Sequence, residues 1–383
     1  MKRIILFHQG ADEYGSDKIF YLVVKRLAKE NKVKVVLDCA GPLVDKLTKV
    51  GVVDVEILDL SVLRKVNIKS MHSFILFSFS MIKSIYHIRK LLNDFDPDIL
   101  YVNTLAVISP LLASCGLRCT VIHHLHEIQY RPKFIFCSLY SISGLFSDNV
   151  LCVSKSVVAC FNELSIFGKD KTRLLYNGLD EEPIIADDVF IDEVDSKFNN
   201  KGPIIAYVAR IHVWKGQLEF LDVVDYLVNK KGLSVNFAFF GDVFPGYEIL
   251  VDKINSRIVE LNIENNVHFF GFRRDASELF ALADVSVMGS IEPDPLPTIV
   301  LESMAQSTPV VAYAHGGSTE MIENGKTGYL VEPLNVELMA ASLEALLSDN
   351  ILRHKMGAES RLRFENRFSL DSFYSKLEKV LGL

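Results

Sequence analysis

The sequence predicts an α/β protein made of two Rossmann-like, doubly wound domains. Three observations carry that prediction. Apolar, β-branched runs alternate with amphipathic helical stretches along most of the chain, the pattern of parallel sheets covered on both faces. These runs are too many for one ordinary doubly wound sheet. A polar stretch rich in Asp, Glu and Asn, Asp180 to Gly202, shows little helical periodicity and reads as the seam. A length of 383 residues suits two domains, and 49% hydrophobic content supplies sizeable cores.

The elements follow in order. Arg3 to His8 reads as a buried strand. Asp17 to Glu30 has helical spacing, with Ile19, Leu22, Val23 and Leu27 on one face. Val33 to Asp38 is again apolar and β-branched. Met71 to Met81 is rich in Phe, Ile, Leu and Ser, with Lys65, Lys69, Lys83, Arg89 and Lys90 around it. It is shorter than the ~20 apolar residues that span a bilayer. Two readings stay open: a core helix with basic ends, or an amphipathic helix lying on an anionic membrane surface. Strands at Ile99 to Val102, Thr120 to His123 and Val150 to Val153 continue the first domain. Ile204 to Ala209, Val235 to Phe240, Val267 to Phe270, Val285 to Met288 and Pro309 to Ala312 form the second. The last helix, about Asp371 to Leu381, is expected to cross back. The expected domains are therefore 1–178, completed by 367–383, and 179–366.

Composition narrows the function. A net charge of −7 argues against a nucleic-acid partner. Six cysteines, Cys39, Cys115, Cys119, Cys137, Cys152 and Cys160, include no Cys-x-x-Cys pair, so no zinc site is expected. Asp94, Asp96 and Asp98 have the spacing of an Asp-x-Asp metal motif, but they read as the solvated entry to a strand after Pro97. The apolar run after Met1-Lys2-Arg3 ends at Phe7, too soon for a signal peptide, and a cytoplasmic protein is expected.

Gly289 to Ala305 is the most informative stretch. Asp294 lies in a proline-rich loop after a strand, a helix opens near Pro297, and Glu302 lies inside that helix. The unpaired N–H groups of the first turn, at about Leu296 to Ile299, form an anion cradle, and Glu302 is placed to accept hydrogen bonds from a diol. Ligands of open α/β sheets bind beyond the carboxyl ends of strands. There, Arg210 and Lys215 offer a planar fork and a mobile point charge, able to neutralise a diphosphate. After the first strand, Gln9 to Asp17 contains Gly15, suited to close approach of a phosphate, and Ser16. It lacks Gly-x-Gly-x-x-Gly, and the other reading is a plain turn with Ser16 or Asp17 as N-cap.

Asp294-Pro295-Leu296-Pro297 through Glu302-Ser303-Met304-Ala305 resembles the signature of glycosyltransferase family 4, retaining enzymes of the two-domain GT-B fold with a central cleft. Asp294 stands where most relatives have Glu, and Glu292, also before a proline, is two residues too early. The Arg210 to Lys215-Gly216 spacing, Asn177-Gly178, His315-Gly316-Gly317 and Gly325-Lys326-Thr327-Gly328 match the same family. The resemblance implies a nucleoside-diphosphate sugar as donor, no metal and no cofactor. It implies that Arg210, Lys215 and the helix start at Pro295 to Ile299 hold the diphosphate, with Gly15 and Ser16 closing on it. Gly271 and Phe272 would hold the base and Glu302 the ribose. Asp294 would orient the sugar, and His126, chosen among His123, His124 and His126 for its pairing with Glu127, would touch it. The basic, apolar segment of Met71 to Lys90 suggests a lipid-linked glycan as acceptor, as in bacterial surface polysaccharide assembly, at the inner face of the cytoplasmic membrane. A nucleotide-sugar epimerase of the same fold, a glycosyltransferase with a soluble acceptor, a nicotinamide dehydrogenase and a non-catalytic sugar binder are the competing classes.

Overall fold

The structure is a computed structural model and describes residues 1–11, 15–51, 53–64, 70–198, 201–273 and 276–383. Asp12, Glu13 and Tyr14 of the first loop, the cations Lys65 and Lys69, and Asn199 and Asn200 of the seam lie outside the described residues. The chain divides into two compact units, Met1–Asn177 with Phe373–Leu383, and Gly178–Ser372.

In the first unit the strands are β1 (Arg3–His8), β2 (Lys32–Leu37), β3 (Val53–Ile57), β4 (Ile99–Asn103), β5 (Thr120–Leu125), β6 (Asn149–Cys152) and β7 (Thr172–Leu174). The helices are α1 (Gly15–Leu27), α2 (Pro42–Lys49), α3 (Met71–Phe95), α4 (Ser109–Ala113), α5 (Lys133–Phe146) and α6 (Lys155–Leu164). The strands form one parallel sheet in the order β3-β2-β1-β4-β5-β6-β7. The order reverses between β1 and β4, and there the register sets His8 opposite Asn103. Ile4 to Phe7 are fully buried, as a central parallel strand with helices on both faces requires.

The second unit contains α7 (Asp188–Asp195), β8 (Ile204–Val208), α8 (Gln217–Asp225), β9 (Asn236–Phe240), α9 (Glu248–Glu260), β10 (Val267–Phe269) and α10 (Ser277–Leu282). It continues through β11 (Val285–Met288), α11 (Thr298–Ala305), β12 (Val310–Tyr313), α12 (Ser318–Met321), β13 (Gly328–Val331), α13 (Val336–Ser348) and α14 (Asn350–Arg367). The final helix is α15 (Leu370–Leu381), and from Phe373 onward it packs in the first unit. There Arg26 pairs with Glu378, and Tyr374 Oη donates to the Leu22 carbonyl at 3.1 Å. The second sheet is also parallel, in the order β10-β9-β8-β11-β12-β13, reversing between β8 and β11. Aromatic side chains fill its core: Tyr207 stacks on Phe239, and Phe239 on Phe269, with ring centroids 5.0 and 4.6 Å apart. Each such ring stabilises the unit by roughly 1.5–3 kcal/mol through burial.

Two expectations need correction. The polar seam is not without helix: Asp187 caps α7 by accepting the Phe190 N–H at 2.7 Å, and Phe190 and Val194 are buried one turn apart. Two well-placed apolar residues suffice when a cap is present, and the surrounding acids hide the pattern. The segment from Met71 is not an 11-residue stretch but the start of the 25-residue α3. Its Met81, Ser84, Ile88 and Leu92 are buried, whereas Ile75, Leu76, Phe79, Ile82 and Tyr86 are exposed. Among the described residues no helix is long and apolar enough to cross a membrane.

Candidate active site

In the second unit the loops after β8 and β11 meet where the strand order reverses. Arg210 follows β8 and lays its guanidinium over the Phe244 ring, 4.9 Å from the centroid. The Arg210 carbonyl accepts from Gln217 Nε2 at 2.9 Å. A single 3₁₀ turn, Val213–Lys215, comes next and is capped by His212 Nδ1, which accepts the Trp214 N–H. Gly216 closes that turn at φ 77°, and a Cβ there would fall 2.2 Å from the Gly289 carbonyl oxygen. Only glycine allows both the left-handed conformation and the contact between the two loops. The Ile291 N–H then donates to the Trp214 carbonyl at 2.9 Å.

This contact brings Lys215 Nζ to 2.6 Å from Asp294 Oδ2. The ammonium also lies over the Trp214 ring, 3.9 Å from its centroid. Asp294 is buried and Glu292 is exposed, so Asp294 is the acid that meets the cation. The loop after β12 holds the Asp294 backbone from another side. The Gly317 N–H donates to its carbonyl at 2.8 Å, and Gly316 has φ 56°, where a Cβ would lie 2.3 Å from that same oxygen.

Pro297 is the N-cap of α11, so the helix starts one residue later than the proline. Thr298 and Ile299 supply first-turn N–H groups that no intrahelical carbonyl can reach. Pro295 and Leu296 set the approach, and Glu302, half-buried, lies four residues after Thr298 on the same helix face. Gly271 and Phe272 follow β10: the Gly241 N–H donates to the Gly271 carbonyl at 2.8 Å, and the Phe272 N–H to Asp242 Oδ1 at 3.0 Å. Arg210, Lys215, Asp294, Pro295 to Ile299, Glu302, Gly271 and Phe272 thus all follow carboxyl ends of one sheet. His315, after β12, was read from the sequence only as part of a glycine loop; both its ring nitrogens are buried and without partner among the described residues.

Gly15, Ser16 and His126 belong to the first unit. Gly15 and Ser16 form the first turn of α1, so neither Ser16 nor Asp17 is its N-cap. His126 follows β5. Its Nε2 is 2.9 Å from Asn103 Oδ1, Asn103 Nδ2 is 2.9 Å from His8 Nδ1, and His8 Nε2 is 2.6 Å from Asp17 Oδ1. The His126–Glu127 pairing runs through the backbone: Glu127 Oε2 accepts the His126 N–H at 3.0 Å and the Leu105 N–H at 3.1 Å. Burial pushes the Glu127 carboxyl up to about 7, against the pull of those N–H groups. Burial also lowers His123 to about 4 and His124 to about 3, the latter helped by His123. His126 is held well below the usual histidine range by burial and then by His124, His8 and His123, so its ring is neutral. His123 and His124 are structural: His123 bonds Ser143 Oγ and the Thr104 carbonyl, and His124 bonds Tyr101 Oη. His8, Asn103 and Gln217 escaped the sequence reading; the first two are the last residues of their strands, which is the one signal that could have found them.

The acids Asp96 and Asp98 have local roles, Asp96 pairing with Arg3 and Asp98 accepting the Arg3 N–H at 2.7 Å. Cys39 and Cys115 are exposed, whereas Cys152 and Cys160 are buried.

Known proteins resemble this chain in both of its units. Residues 189–363 match the glycosyl transferases group 1 family, and residues 15–183 match glycosyltransferase family 4. A capsular polysaccharide biosynthesis glycosyltransferase, CapM of Staphylococcus aureus, is 24% identical over 255 residues, 64% of each chain. The N-acetyl-alpha-D-glucosaminyl L-malate synthase of Bacillus anthracis is 26% identical over 61% of this chain and 59% of its own. The chain spans less than two thirds of the length of the curated relatives it matches. Over the full length of both chains, Anabaena HepE in complex with UDP-glucose superposes with a TM-score of 0.83 at 20% identity. The chain belongs to the family 4 glycosyltransferases and has the GT-B fold.

Proposed function

We propose that this protein moves a sugar from a nucleoside-diphosphate sugar to an acceptor hydroxyl with retention of configuration. The observation that carries the reading is the meeting of Arg210, the Lys215–Asp294 pair and the start of α11 where the second sheet reverses. Arg210, the two N–H donors of Lys215 not used by Asp294, and the N–H groups of Thr298 and Ile299 would hold the diphosphate. They would also neutralise it as it leaves, with no metal required. Glu302 takes the ribose diol, Asp294 orients the sugar hydroxyls, and Gly271 and Phe272 hold the base. Gly15 and Ser16 approach the diphosphate, and His126 meets the transferred sugar. The acceptor attacks from the face the diphosphate leaves, and a phosphate oxygen takes its proton. The UDP-glucose bound to HepE supports a nucleotide-sugar donor.

For the acceptor we propose a lipid-linked bacterial glycan met at the cytoplasmic membrane face. CapM supports the glycan class. The outer face of α3 supports the membrane: Ile75, Leu76, Phe79, Ile82 and Tyr86 are exposed, and no acid occurs between Met71 and Asn93, where Lys83, Arg89 and Lys90 lie. A thermal-shift screen over nucleoside diphosphates and their sugars tests the donor, since a ligand of the folded state raises its melting point. Arg210→Ala and Glu302→Ala should fold yet lose transfer about 100-fold. Near-normal turnover in both would overturn the assignment, and release of diphosphate without any acceptor would favour the epimerase.

A further inference from the structure

The polar chain Asp17–His8–Asn103–His126 has a direction. Asp17, as a carboxylate, only accepts hydrogen bonds, so the 2.6 Å contact puts the proton on His8 Nε2. Asn103 presents its Nδ2 to His8 Nδ1, so that nitrogen accepts through its lone pair. The same amide turns its Oδ1 to His126, which forces the proton onto His126 Nε2. His126 Nδ1 is left with a lone pair, and no hydrogen bond to it is made among the described residues. His8, Asp17 and Asn103 are all nearly or fully buried, so water does not compete for the links. His8 is further fixed by stacking on Phe20, ring centroids 4.5 Å apart. Thr104, next to Asn103, is held at φ 79°, a left-handed conformation that a β-branched residue adopts only under constraint.

We infer that Asp17, His8 and Asn103 are positioning residues that act through His126, locking its ring in the Nε2–H tautomer so that Nδ1 accepts from a hydroxyl of the transferred sugar. The inference rests on the reading that His126 meets that sugar. Were the Asn103 amide flipped, both of its links would reverse, and His126 Nδ1 would become a donor. The anchoring carboxylate therefore selects which hydrogen bond the sugar meets.

Nitrogen-15 NMR of the histidine-labelled full chain reads the tautomer directly. His126 should show a pyridine-like Nδ1 and a protonated Nε2. Asp17→Asn keeps the shape but removes the one-way anchor, because an amide both donates and accepts. It should drive His126 toward a tautomer mixture and lower kcat about 10- to 100-fold, with donor KM little changed. Asn103→Leu, which severs the chain, should give the same shift and a larger loss. A protonated Nδ1 in the native protein, or a His126 signal indifferent to Asp17→Asn, would overturn the relay. If the tautomer shifts while kcat holds, the relay stands but His126 does not serve the sugar, and the functional half of the inference falls.

Discussion

Lys215→Met separates the structural work of the Lys215–Asp294 pair from its chemical work. The two groups are 2.6 Å apart, with side-chain exposures of 17% and 12%. At an effective dielectric near 20, two such charges attract by about 4 kcal/mol at 4 Å, but desolvation offsets much of this. Removing the lysine leaves Asp294 buried and unpaired, a cost of about 3 kcal/mol. Asp294→Asn should cost less, about 1 kcal/mol, because the ammonium keeps the Trp214 face and can reach toward water. The double variant should therefore be more stable than Lys215→Met alone. Calorimetry checks this: the melting transition of the second unit should fall by about 6–12 °C in Lys215→Met and partly recover in the double variant. Additive losses, or no loss, would refute the reasoning. Titration with a nucleoside diphosphate adds a second reading. Asp294→Asn removes a negative charge beside the phosphates, so affinity should hold or tighten while transfer falls about 100-fold.

Glu127→Gln tests the buried carboxyl of the first unit. The group titrates near 4.5 when unfolded and about 7 when folded, so the folded state binds its proton more tightly. Its contribution is most favourable below the unfolded value and is lost as pH rises through the window to 7, reaching about 3 kcal/mol of destabilisation above it. The amide still accepts from Leu105 and His126, so the variant should be more stable than the native protein near ~pH 8 and equal to it near ~pH 4. A difference that does not change with pH in urea unfolding would refute this. On α3, Phe79→Ser with Ile82→Ser should weaken binding to phosphatidylglycerol vesicles by about 100-fold. Undiminished sedimentation of the double variant with those vesicles would exclude this face as the membrane contact.

The central strands were legible because a buried parallel strand must be apolar throughout, and Ile4 to Phe7 or Phe237 to Phe240 satisfy this without help from distant residues. The short strands β3 and β13 were not: Val53 to Ile57 carries Asp54 and Glu56, and β13 opens at Gly328. Both lie at sheet edges, where one side needs no apolar cover. In the site, the cations and acids were visible singly. Lys215 meets Asp294 only because Gly216 and Gly289 let two loops touch, and nothing local in either segment encodes that contact. His126 was identified by its neighbour Glu127, yet its working partner, Asn103, is 23 residues away across a strand pair.

The two sheets place different chemistry at equivalent points of their topology. Each reversal of strand order opens a crevice between neighbouring strand ends, and each is crossed by a polar link. Across β8 and β11 the link is ionic, flanked by glycines and backed by the first-turn N–H groups of α11, so it can answer a charge that appears and departs. Across β1 and β4 it is a buried chain of directed hydrogen bonds, anchored on Asp17 and ending in one open lone pair, so it answers direction. A diphosphate leaving group needs the first kind of environment, because its charge grows during bond cleavage. A sugar ring held for attack on one face needs the second, because its hydroxyls differ in orientation and not in charge. Exchanging the two environments would serve neither: a buried relay without a cation cannot offset a dianion's desolvation, and a mobile lysine cannot specify which way a hydroxyl points.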